Sequence, residues 1–201
     1  METQSVVYVI DDDASVRKSL ERLIRSAGLH AKTFPSAQDF LSYHPLDCPG
    51  CLVLDVKMPG ITGLELQKKM TALHRSIPII FITGFGNVPA SVQAMKAGAV
   101  DFLEKPFDSK TLLDAIHRAI KHDREHRQRN SELAAIRKRA ESLTNREREV
   151  FELIVAGMLN KQSAFQLGIT EKTIKVHRAR VMQKMGAQSL ADLVRLAERL
   201  K

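Results

Sequence analysis

Four places in this 201-residue sequence put side chains able to do chemistry at the ends of short apolar runs. Asp11-Asp12-Asp13 follows Val6-Val7-Tyr8-Val9-Ile10, and Asp55 follows Cys51-Leu52-Val53-Leu54. Thr83-Gly84 follows the run from Ile77 to Ile82, and Glu104-Lys105-Pro106 follows the run from Val100 to Leu103. Carboxylates gathered in one place repel one another, and a hard divalent cation is their natural neutraliser. A carboxylate is also a nucleophile that can accept a phosphoryl group as an acyl phosphate. That chemistry asks for Mg2+, a hydroxyl donor and a cation for the phosphoryl oxygens. Asp12 and Asp55 would supply metal ligands, Thr83 the hydroxyl and Lys105 the cation. Acidic residues also end strands and cap helices for structural reasons alone, and Asp13 or Ser15 suits the cap of a first helix. One such residue would weigh little; four strand ends that agree weigh much more.

The elements that must position these groups follow from periodicity. The four runs, with a weaker one over about 30–34, read as five strands, the continuous ones buried on both faces. Helical patterns lie between and after them. Val16, Leu20, Leu23 and Ile24 form one, and Ser36 can cap a short second; others run over about 63–73, through Val88, Val92 and Met95, and through Leu112, Leu113, Ile116 and Ile120. Five strand–helix units in about 120 residues imply a parallel sheet with helices on both faces. In such sheets ligands sit at the carboxyl ends of the strands.

From Lys121 to Asn130 no residue is apolar, which predicts a polar, helical linker over 121–142 containing the basic run Arg137-Lys138-Arg139. Beyond it, 143–201 reads as four short helices. Thr144 and Glu147 make one capping box, and Ser189 and Asp192 suggest another. Helices over about 161–167 and after Thr170, joined by Gly168-Ile169-Thr170, form a helix–turn–helix pattern.

Charge divides the same way. Residues 1–120 hold 13 basic and 13 acidic side chains, whereas residues 121–201 hold 18 basic and 10 acidic, so the whole net charge of +8 lies in the last part. A neutral first domain and a second one that meets a polyanion is the simple reading, with a solvated basic surface as the plainer alternative. Aromatic residues make up only 5% and Trp is absent, which argues against a stacking platform for single strands. No apolar run is long enough for a bilayer, no secretory signal is visible, and two cysteines make no disulfide framework; a cytoplasmic, membrane-free protein is expected.

The stretches VVYVIDDD, LVLDVKMPGITGLEL, IIFITGFG and AGAVDFLEKPF resemble the receiver domain of bacterial response regulators. The resemblance covers about residues 5–120. It implies a doubly wound sheet of order 2-1-3-4-5 and Asp55 as acceptor of a phosphoryl group from a histidine kinase. It implies Mg2+ (or Mn2+) held by Asp12, Asp55 and the main-chain carbonyl of Lys57, with Asp11 contributing directly or through water. Thr83 and Phe102 match the family's switch positions, Lys105 its lysine, and Lys105-Pro106 its usual cis bond. Asp13 receives no ligand role.

On a wheel of the helix after Thr170, Ile174, Val181 and Met185 share one face, and Lys172, Lys175, Val176, Ala179, Arg180 and Gln183 lie towards the other. A helix fits the major groove, where Lys and Arg bond guanine or phosphate and small apolar groups touch thymine methyls. Thr173 and Lys161 join this candidate DNA-binding set, and His177 and Arg178 sit at its flanks, suited to packing or phosphate contact. LTNREREVFELIVAG, NKQSAFQLGITEKTIKVHRARVMQKM and SLADLVRLA resemble the LuxR/FixJ/NarL-type DNA-binding domain over residues 143–197. Ser163 departs from that pattern, which usually has an aliphatic residue there. Its hydroxyl is expected to bond back to a carbonyl one turn earlier.

Together the two resemblances imply a FixJ-type response regulator, not an enzyme. It would be phosphorylated by a sensor histidine kinase, dimerise through the surface of the fourth helix and fifth strand, and bind promoter DNA, with RNA polymerase as a further partner. An Asp-nucleophile phosphatase would need an acid/base carboxylate two residues after Asp55, where Lys57 stands. A DNA-binding protein with an unresponsive receiver is the other alternative, and the complete acidic set argues against it. Cys48-Pro49-Gly50-Cys51 precedes a strand rather than opening a helix, against a redox role. His122 and His126 have metal-pair spacing but no evident third ligand. Met70, Met95, Met182 and Met185 read as core or gap-filling residues.

Overall fold

The computed structural model describes residues 5–45, 47–84 and 88–200. The Phe85-Gly86 end of the third quoted receiver stretch lies outside them. Residues up to Arg127 form one compact unit, and residues from Gln128 form a second.

The first unit holds strands β1 (Val6–Ile10), β2 (His30–Phe34), β3 (Gly50–Asp55), β4 (Ile79–Thr83) and β5 (Asp101–Glu104). They are parallel, as the strand–helix alternation predicts, in the order β2-β1-β3-β4-β5 that the resemblance to receiver domains implies. Between them lie α1 (Ala14–Ser26), α2 (Ala37–Ser42), α3 (Gly63–Ala72) and α4 (Val88–Lys96), and α5 (Ser109–Glu141) follows β5. Alternate residues of β1 and β3 feed two cores on opposite faces. Tyr8, Ile10, Leu52 and Leu54 pack with Phe40, Leu66 and Met70; Val7, Val9 and Val53 pack with Ile24, Leu112 and Ile116. The order reverses between β1 and β3, which opens a crevice at their carboxyl ends. Gly63 starts α3 against that crevice, where a β-carbon would strike the Asp55 carbonyl.

One expectation fails in α4. Val88, Val92 and Met95 are exposed, and among the described side chains of this helix Ala94 alone is buried, so the apolar stripe is a surface. Gln67 instead is buried, its amide donating to the Ala94 and Ala97 carbonyls.

The second unit takes the end of α5 and adds α6 (Asn145–Val155), α7 (Asn160–Leu167), α8 (Glu171–Met185) and α9 (Leu190–Glu198). Ile136, Val150, Ile154, Ala164, Ile174, Val181 and Leu193 form its core. Thr144 and Glu147 make the expected capping box. At α9 Ser189 caps, but Asp192 accepts the main-chain N–H of Gln188 (3.1 Å), not that of Ser189, correcting the second expected box. Ser163 faces inward, 1% exposed, and its hydroxyl has no protein hydrogen-bond partner, correcting the expected bond to a carbonyl. No helix among the described residues is long and apolar enough to cross a membrane.

Candidate functional site

The sheet brings the sequence-selected residues to one end. Ile10 pairs with Leu54, so Asp11, the next residue after β1, arrives beside Asp55, the last of β3. Thr83 ends β4, buried, and pairs with Glu104. Lys105 follows, its N–H bonded to the Thr83 carbonyl (2.7 Å) and its peptide bond to Pro106 cis.

Lys105 Nζ donates to Asp11 Oδ2 (2.7 Å) and Asp55 Oδ1 (2.9 Å). The remaining oxygens also find donors: the Asp13 N–H for Asp11 Oδ1 (2.9 Å) and the Lys57 N–H for Asp55 Oδ2 (2.9 Å). Arg17 Nη1 binds the carbonyls of Asp11 and Asp12 (2.7 and 2.9 Å), fixing the turn from β1 into α1, a role sequence reasoning missed. Asp12 is exposed, and Asp13 caps α1. Phe102 is half-buried, its ring 6.1 Å from that of Phe81.

Two buried carboxylates share one ammonium here. Burial raises the pKa of Asp55, outweighing the hydrogen bond and charge of Lys105, and the charge of Asp11 adds to the rise. Burial by itself would lower Lys105, but its bonds to Asp11 and Asp55 prevail and hold it protonated, above its ordinary value. As they stand, no three His, Cys, Asp or Glu side chains among the described residues form a metal-holding group. The donor chemistry nevertheless fits Mg2+ or Mn2+. Every candidate ligand is a hard oxygen, Asp11 and Asp55 are buried, and the excess negative charge favours a further cation. His122 and His126 line one cavity.

The candidate nucleic-acid residues sort by exposure. On α8, Ile174, Val181 and Met185 are buried, whereas Lys172, Lys175, Val176, Ala179, Arg180 and Gln183 are exposed. Thr173, His177 and Arg178 are half-buried, and Lys161 is exposed on α7. His177 Nδ1 is buried without a protein partner. Thr170 caps α8 by accepting the Thr173 N–H (3.2 Å).

Behind this face lies a pair that sequence reasoning missed. Lys184 Nζ donates to Glu147 Oε2 (2.6 Å) and to the Ser142 carbonyl (3.0 Å), and the Thr144 N–H donates to the same Glu147 oxygen (2.9 Å). Lys184's hydrogen bond, then that of the Thr144 N–H, holds the Glu147 pKa down at about 2. Arg139 Nη1 meets the Met185 carbonyl (3.2 Å) at the end of α8.

A sheet of this order with a buried Asp–Lys–Asp cluster at its carboxyl ends, followed by a helix–turn–helix unit, defines a DNA-binding response regulator. The "Response regulator receiver domain" family matches residues 7–117, and "Bacterial regulatory proteins, luxR family" matches residues 141–197. The chain belongs to the response regulators that carry a LuxR-type DNA-binding domain. Among its relatives is Nodulation protein W of Bradyrhizobium diazoefficiens, 47% identical over 98% of this chain and 87% of that protein. Transcriptional regulatory protein FixJ of the same organism is 47% identical over 99% and 97%. A solved structure of response regulator StyR is also 47% identical, with TM-score 0.89 over 98% of this chain and 99% of that one. These relatives are regulators rather than enzymes, and receiver domains typically bind Mg2+ in the acidic pocket.

Proposed function

We propose that this chain takes a phosphoryl group onto Asp55 from the phosphohistidine of a sensor histidine kinase, and that this controls its binding to promoter DNA. The observation that carries the reading is the buried Asp11–Lys105–Asp55 cluster at the carboxyl ends of parallel strands. An Asp55 oxygen attacks phosphorus, the P–N bond breaks, and the imidazole leaves with the electron pair and picks up a proton. Mg2+ or Mn2+ would be held by Asp12, Asp55 and the Lys57 main-chain carbonyl, with Asp11 contributing directly or through water, and would supply charge neutralisation for the transferred group. Lys105 and Thr83 hold phosphoryl oxygens. The new charge draws Thr83, and Phe102 follows, shifting the receiver between two states.

The exposed Val88, Val92 and Met95 of α4 support pairing of phosphorylated receivers through that surface. Pairing brings two DNA-binding units to adjacent half-sites, about one helical turn apart. Lys172, Lys175, Val176, Ala179, Arg180 and Gln183 then face base edges and phosphates, with Lys161, Thr173, His177 and Arg178 on the flanks. RNA polymerase is the downstream partner, and the cytoplasm the compartment. The test is treatment with acetyl phosphate and Mg2+, followed by intact-mass measurement, sedimentation and DNA binding. One added phosphate with dimers and tighter operator binding is expected; a phosphorylated chain that stays monomeric on DNA overturns the mechanism.

A further inference from the structure

The stretch from Lys121 to Asn130 has no apolar residue, so hydrophobic burial cannot hold it to the receiver. Yet Asp123 is 1% exposed. A buried carboxylate is costly unless paired and hydrogen-bonded. Asp123 Oδ2 accepts the Gly50 N–H (2.9 Å) and Arg127 Nε (2.8 Å), and Arg127 Nη1 reaches the exposed Asp47 (2.7 Å).

The bond to Gly50 has a structural logic. Along β3 alternate N–H groups point to the same side. The Leu52 N–H is taken by the Pro78 carbonyl, whereas Gly50, two residues earlier, lies beyond the pairing between β3 and β4. The Asp123 carboxylate stands in for the missing strand. Gly50 also admits no larger residue, since a β-carbon would lie 2.5 Å from the Val6 carbonyl oxygen. The same helical segment also meets a cavity of about 180 Å³ lined by His122, Asp123, His126, Arg75, Ile77 and Val100. Polar bonds at Asp123, rather than close apolar packing, therefore hold it. β3 is six residues long and wholly buried, with Gly50 at one end and Asp55 at the other.

We propose that Asp123 fastens residues 121–127 of α5 to the start of β3, and that this fastening is required for Asp55 phosphorylation to alter DNA binding. The second half rests on the phosphorylation-controlled reading above; the first does not. Asp123 is a positioning residue, remote from the acidic pocket along the strand.

The test uses the full chain, with and without acetyl phosphate and Mg2+, and DNA fragments selected by the wild type. Asp123→Asn keeps an acceptor for Gly50 and removes the charge that Arg127 needs. It should take up phosphate on Asp55 as the wild type does. Amide exchange over 121–127 should quicken about tenfold, and the tightening of DNA binding on phosphorylation should shrink by about fivefold or more. Unchanged exchange overturns the fastening. Faster exchange with wild-type dependence on phosphorylation overturns the signalling role. Should Asp123→Asn misfold, Arg127→Gln tests the same bond, with the same signs and smaller shifts. A wild type whose DNA binding ignores phosphorylation defeats the parent reading and the signalling half with it, while exchange still decides the fastening.

Discussion

The two units each bury a carboxylate against a lysine, and the two pairs are opposites. At the receiver's strand ends, Asp11 and Asp55 share Lys105, and Asp55 is pushed up. In the DNA-binding unit Glu147 shares Lys184 with no other carboxylate among the described residues, has a helix cap besides, and falls to about 2. Burial outweighs the shared lysine at Asp55, with the Asp11 charge adding to it, whereas the hydrogen bonds of Lys184 and the Thr144 N–H outweigh burial at Glu147. On the proposed reading the first receives a cation and a phosphoryl group; the second holds α6 to the end of α8.

The largest effect that tests this contrast is at Asp55. Asp55→Asn should abolish phosphate uptake, seen as no mass gain after acetyl phosphate and Mg2+. It should also raise the receiver's melting point, because it removes a charge that burial disfavours. Normal uptake by the variant would break the assignment, and a lower melting point would break the burial argument.

The settled pair predicts the reverse. Lys184→Met leaves Glu147 buried without its cation and should cost the DNA-binding unit about 2 kcal/mol, with no loss of phosphate uptake. The two pockets also titrate with opposite signs. Glu147's folded pKa of about 2 lies below its ordinary 4.5, so its stabilisation is complete above pH 4.5 and is lost as pH falls towards 2. Asp55 is shifted up from 3.8, so its ionisation opposes folding as pH rises through that value, and acid relieves it. Calorimetry of the full chain across pH 2–6 checks both; loss of the acid effect on the second unit in Lys184→Met would tie it to this pair.

Smaller effects belong to the exposed face that the lock supports. Lys175→Ala and Val176→Ala should each lose on the order of 1–2 kcal/mol on specific DNA and less on random DNA. Equal losses on both, measured at one salt concentration, would remove base readout from α8. The smallest change is at Ser163, a polar group buried in the settled unit. Ser163→Ile should stabilise that unit by roughly 1 kcal/mol where space admits it, and a lower midpoint would show overpacking instead.

The strands and the polar residues at their ends were legible because strand ends are marked in the sequence itself, whereas the strand order came only from the resemblance to receiver domains. An apolar run that stops at Asp55 or Thr83 announces both the element and the polar group it delivers. The recognition helix was legible for the same reason, since Ile174, Val181 and Met185 recur at helical spacing. Burial of polar groups was not legible. Asp123 sits in a stretch without one apolar residue, and its partner Gly50 lies 73 positions away. Lys184 lies on a helix read for its outward face, and nothing local points to Glu147. Met95 failed in the other direction: periodicity shows that apolar residues share a face, not that anything covers it. Ser163 was placed correctly inside, but its local hydrogen bond is not made.

The lock between Glu147 and Lys184 also bears on how the chain is made. The two residues are 37 positions apart, so at about 5–20 residues per second the carboxylate waits for seconds before its lysine is synthesised. Through that interval the cap at Thr144 is its local shelter. On the ribosome, α6 therefore gains its cationic partner only when α8 is almost complete. By then the receiver, whose bridging Lys105 and clamping Asp123 both precede Glu147, has all of its own partners. Synthesis order gives the nascent chain a complete receiver before it has a finished α8.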